Sequence, residues 1–111
     1  MRKRQKTVKQ LIQVMVQRLV KQFDPEQIIL FGSQARGAAG PDSDVDLLVV
    51  APVSFAQKRK RQLEMRIALH DVHVPKDIIL VTPDEVKWDR HIVGTIVYPA
   101  LREGKVLYVR R

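Results

Sequence analysis

The chain has 111 residues, 45% of them apolar and none a cysteine, which fits one domain with a modest core and excludes disulfides, thiolate metal sites and a cysteine nucleophile. No apolar run nears the ~18 residues of a membrane span, and the basic start leads into an amphipathic segment rather than a signal-peptide core. A single cytoplasmic domain over residues 1–111 is therefore expected, away from membranes and with residues 1–6 as a basic, disorder-prone tail.

Val8, Leu11, Ile12, Met15, Leu19 and Phe23 recur at three- and four-residue spacing. This predicts an amphipathic helix over residues 7–22 that Asp24-Pro25 ends. Ile28 to Phe31 is apolar on both faces and reads as a central strand. Gly32-Ser33 breaks it, and Ser33 is placed to N-cap a short helix through Arg36. Residues 37–42 are a loop by composition. Residues 44–50 form a second strand, acidic at its start and then apolar on both faces. Pro52 stops it, and Ser54 is placed to cap a long helix over residues 55–71. Pro75 precedes a third strand, residues 76–81, with Asp77 near its start. Thr82-Pro83-Asp84-Glu85 carries the cap, the early proline and the N3 glutamate of a helix start. A further helix over residues 95–103 ends at Gly104, with Pro99 in its first turns. Residues 106–109 form a last, edge strand. The order α-β-α-β-α-β-α-α-β gives an α/β or α+β fold, a mixed β-sheet with flanking helices.

The chemistry lies around the first two strands. Residues i and i+2 of a strand point to one side, so Asp44 and Asp46 would aim at a common point. Acids entering an apolar central strand are costly unless paired, solvated or metal-bound. A glycine lets backbone approach a phosphate closely, and Ser33 adds a hydroxyl beside it. For the Gly32-Ser33 turn at the end of strand one to meet acids at the start of strand two, those strands must run antiparallel. Asp77 opens strand three as Asp44 opens strand two, so strands two and three should be parallel, and Asp77 would complete a carboxylate triad. The plainer roles remain open: a Gly-Ser turn, a loop-end Asp pair, and an Asp77 that pairs with Lys76 or another base.

Oxygen ligands of this kind suit Mg²⁺ or Mn²⁺. A two-metal site holds the attacking and leaving oxygens of an in-line displacement. In that arrangement Asp44 and Asp46 would bridge both ions. Asp77 would bind the ion carrying the acceptor hydroxyl and help take its proton. Gly32 and Ser33 would hold the β- and γ-phosphates, and pyrophosphate would leave from the α-phosphorus.

Gly32-Ser33 followed by Asp44-x-Asp46 resembles the signature of the polymerase-beta-like nucleotidyltransferases. Phe31-Gly32-Ser33-Gln34-Ala35-Arg36-Gly37, then Ser43-Asp44-Val45-Asp46-Leu47, is similar to its minimal nucleotidyltransferase (MNT) branch. So are the Asp77 strand and the closing run from Arg102 to Tyr108; the likeness spans residues 8–109. It implies the polymerase-beta-like nucleotidyltransferase fold, Mg²⁺-dependent transfer of NMP, and ATP as substrate. It also implies a HEPN-domain protein as partner in a hetero-oligomer, the chain acting as antitoxin by adding AMP to a tyrosine of a HEPN toxin. Arg36 falls in the family's Ala-Arg-Gly segment, where it would touch phosphate or brace the loop against an acid such as Asp42.

The net charge of +8 gathers in Arg2-Lys3-Arg4 with Lys6 and in Lys58-Arg59-Lys60-Arg61. It reads either as solvated surface or as attraction to ATP, RNA or an acidic protein. Aromatics make up 5% of the chain, which argues against a base-stacking single-strand binder. His70, His73 and His91 show no ligand spacing, and Trp88, Tyr98 and Tyr108 read as packing residues. The alternatives to a protein-modifying transferase are a non-catalytic nucleotide-binding module that neutralises its partner by contact, and a transferase acting on a small molecule or an RNA end.

Overall fold

The computed structural model describes residues 6–37 and 43–111. Most of the basic tail, and the expected loop with Asp42, lie outside the described residues. Helix α1, Val8–Phe23, starts in a capping box: Thr7 Oγ1 accepts from the Gln10 N–H at 3.2 Å, and Gln10 Oε1 from the Thr7 N–H at 2.9 Å. It buries Ile12, Met15 and Leu19. Asp24 closes it in the left-handed conformation, φ 47°, which an aspartate tolerates better than most residues.

Strands β1 (Gln27–Phe31), β2 (Val45–Val50), β3 (Lys76–Val81) and β4 (Lys105–Val109) form one sheet in the order β3-β2-β1-β4. β1 and β2 are antiparallel, β2 and β3 parallel, and β4 is an edge strand antiparallel to β1. The first two pairings are those that the meeting of the turn and the three acids required. β2 begins at Val45, one residue later than expected, which leaves Asp44 exposed just before it.

Alternation along the two central strands sends side chains to both faces. Ile28, Leu30, Val45, Leu47 and Val49 pack under α1 and under α3, Phe55–Ala68. Ile29, Leu48, Val50 and Val81 pack against Val97 and Ala100 of α5, Val97–Glu103. Both faces are covered, which is why these strands read as unbroken apolar runs. Gly104 ends α5 tight against β1: a Cβ there would lie 2.6 Å from Ile29 Cγ2 and 2.9 Å from the Leu30 carbonyl.

Several helix ends differ from expectation. Helix α3 stops at Ala68 rather than 71, and Ser54 takes its N-cap position without a side-chain bond, its carbonyl accepting from Gln57 and Lys58 instead. Helix α5 starts at Val97, because the Thr95 hydroxyl accepts from the Tyr98 N–H at 3.3 Å and holds the preceding residues outside the helix. Pro99 then falls in the first turn, where a missing N–H costs nothing. Helix α4, Pro83–Asp89, has the expected capping box between Thr82 and Glu85. Trp88 is not a packing residue. It is 66% exposed, since α4 is a short helix with no buried residue.

Candidate nucleotide-transfer site

The site is built where β1 ends and β2 and β3 begin. At the end of β1, Gly32 turns the chain with φ 73° directly into α2, Gly32–Arg36. The N-cap position therefore falls on Phe31, and no side chain caps that end. Ser33 sits inside the first turn rather than at the expected cap.

Register does the rest. Phe31 is paired with Asp46 on β2, and Asp46 is paired with Asp77 on β3. The Val45 N–H donates to the Pro75 carbonyl at 2.8 Å, which locks the starts of β2 and β3 together. Gln34 Nε2 donates to the Ser43 carbonyl at 3.3 Å and ties α2 to the segment carrying Asp44. A Cβ added to Gly32 would collide with Asp46 Oδ2. The turn is thus a glycine both because its φ is positive and because the Asp46 carboxylate occupies the space of a side chain.

Asp46 is half-buried, Asp77 half-exposed and Asp44 exposed. Burial first, then the negative charges of Asp44 and Asp77, hold the Asp46 carboxyl above the usual carboxylate range. Asp44 and Asp77 therefore both lie within electrostatic reach of Asp46. A cluster whose own charges disfavour ionisation is one that a cation would relieve.

Two expected site residues have protein partners. Arg36 Nη1 lies 3.5 Å from Glu103 Oε2 on α5, in an exposed pair. Asp77 Oδ1 lies 3.6 Å from Arg66 Nη2 on α3, while Lys76 donates instead to the Val72 carbonyl at 2.9 Å. Among the described residues no three His, Asp or Glu side chains form a ready-made metal cage. The donor set, carboxylate oxygen alone, is of the kind that suits a hard divalent cation. His70, His73 and His91 are exposed. A groove of about 570 Å³ lies at the opposite end of β2 and β3, between Phe55 and Trp88.

The site thus sets a glycine turn against register-paired acids on a mixed four-stranded sheet. Residues 8–100 match the nucleotidyltransferase domain family, and the chain belongs to it. Members of this family generally use a nucleoside triphosphate and divalent metal ions. No curated protein matches the chain. Among solved structures it is similar to a candidate nucleotidyltransferase of Sulfolobus solfataricus, with TM-score 0.58 and 21% identity over 91% of this chain and 79% of the other. It is also similar to a candidate minimal nucleotidyltransferase, with TM-score 0.53 and 23% identity over 93% and 98% of the two chains. A toxin–antitoxin structure with AMP-PNP aligns with TM-score 0.53 and 19% identity over 88% and 73%. At these identities the likeness is one of fold. No helix among the described residues is long and apolar enough to cross a membrane.

Proposed function

We propose that the chain transfers AMP from ATP to a hydroxyl of a protein partner, a tyrosine of a HEPN-type toxin, and so acts as an antitoxin. The observation that carries this reading is the line of Phe31, Asp46 and Asp77 across three strands, with the Gly32 turn set against Asp46. The partner class rests on the resemblance of the motif and on the toxin–antitoxin neighbour.

Asp44, Asp46 and Asp77 would hold divalent metal, Mg²⁺ in two sites or Mn²⁺. When bound, the metal supplies charge neutralisation on the triphosphate and on the acceptor oxygen. The Gly32–Ser33 turn offers backbone approach and a hydroxyl to the β- and γ-phosphates. Asp46, fixed against Gly32, keeps the carboxylates and the phosphate turn in one geometry. Asp77 takes the proton of the acceptor hydroxyl. The acceptor oxygen forms its bond to the α-phosphorus as the bond to the β-phosphate oxygen breaks, and pyrophosphate leaves. Arg36, paired with Glu103, holds α2 rather than phosphate until substrate competes for it.

One observation favours the non-catalytic alternative: Asp77 is in an ion pair with Arg66. The two readings separate by intact mass of a co-expressed HEPN partner. Transfer adds one or more nucleotide masses, and Asp44→Ala/Asp46→Ala abolishes the addition. An unmodified partner that is neutralised equally by both forms supports contact alone.

A further inference from the structure

We infer that the outer face of α3 docks a protein partner through an acidic amphipathic helix. The inference rests on the transferase reading only for what such a partner would bring to Asp77. Single exposed apolar side chains are ordinary, but here they share one surface. Leu63 and Ile67 of α3 are 56% and 59% exposed, and Phe55 at its start 95%. Arg59, Leu63 and Ile67 follow one another at four-residue steps and so share a helix face. Phe55 and Trp88 line the groove of about 570 Å³ at the start of α3 together with the acids Asp84 and Glu85, so it seats an apolar anchor and not a carboxylate of the partner.

Charge decides the occupant. α3 carries Lys58, Arg59, Lys60, Arg61 and Arg66 against one acid, Glu64. Lys58 is matched by Glu85 at 2.9 Å, and Arg66 by Asp77 at 3.6 Å. Among the described residues Arg59, Lys60 and Arg61 make no ion pair. They lie together in the second turn of the helix, and an acidic partner would match them. A second copy would bring the same positive stripe and be repelled. A nucleic acid would meet the arginines but gain nothing from Leu63 and Ile67.

The surface also has a direction. α3 starts beside the groove and ends where Arg66 reaches Asp77. Its 14 residues span about 21 Å at 1.5 Å per residue. A helix laid along it is led toward the acid site, and its acidic side chains compete for Arg66.

The test uses a fluorescent helical peptide of about four turns, with leucines on one face flanked by glutamates, and no nucleotide or metal. Anisotropy should show saturable binding that weakens with salt. Arg59→Glu/Lys60→Glu and Leu63→Asp/Ile67→Asp should each weaken it at least about tenfold, while Val106→Thr on β4 leaves it unchanged. Melting curves confirm that these exposed variants fold. Absent binding, or binding indifferent to both double variants, overturns the inference. So does single-stranded RNA binding lost in the same variants, or self-association that they abolish. Failure here leaves the transferase reading intact, and a chain that binds the peptide but never transfers AMP keeps this surface.

Discussion

The Asp46 carboxylate rests against the α-carbon of Gly32, in the space a side chain would fill. This contact joins the end of β1 to the acid strand and makes turn and carboxylate one unit. Gly32→Ala should break it twice over, through the collision and through φ 73°. Backbone strain alone is worth about 1–2 kcal/mol. A melting temperature lowered by several degrees is expected, with transfer reduced at least about tenfold. Calorimetry and a transfer assay check the two effects separately.

The Asp46 carboxyl is raised by burial and by Asp44 and Asp77. A raised acid binds its proton more tightly in the folded state, so its contribution to stability falls as pH rises from the usual carboxylate value through the raised one. Above that window the ionised group is a standing cost. Asp46→Asn should therefore raise the melting temperature at neutral pH by a few degrees, flatten stability across the acid window, and abolish transfer. Thermal melts from pH 3 to 8 would show whether variant and wild type converge at the acid end.

A divalent cation should reverse the same repulsion. Mg²⁺ at about ten times its dissociation constant stabilises the folded state by ~1.4 kcal/mol. The wild-type melting temperature should rise with Mg²⁺ or Mn²⁺ and return on chelation. In Asp44→Asn/Asp46→Asn the rise should vanish. An equal rise in both proteins, measured by scanning fluorimetry, would place the cation elsewhere.

Leu47 is fully buried between α1 and α3, one residue from Asp46. Leu47→Ala should cost about 2–5 kcal/mol, visible as a shifted denaturant midpoint. Because β2 carries the acids, the same variant should lose activity before it unfolds.

Much of this arrangement was legible in the sequence because it follows from local pattern. The strands announced themselves as apolar runs after an acid or before a glycine, and the need for turn and acids to meet set β1 and β2 antiparallel. Asp77 stood out for the same reason, an acid ahead of four apolar residues. What stayed hidden depends on distant partners. Arg36 meets Glu103 across 67 residues, and Asp77 meets Arg66 on the crossover helix; neither spacing carries a signal. Ser33 was misplaced as a cap because the sharpness of the Gly32 turn shows only in its φ. Trp88 was misjudged because aromatic residues usually pack, whereas α4 has no buried position to receive one.

The central claim is that the acids serve attack at the α-phosphorus. It is tested most directly by parallel reactions of the chain and a HEPN partner with ATP labelled at the α- or the γ-phosphate. The expected result is α-label fixed on the partner, γ-label released in pyrophosphate, and neither event in Asp44→Ala/Asp46→Ala. Label fixed from the γ-position, or α-label transferred equally well by the double variant, would contradict it.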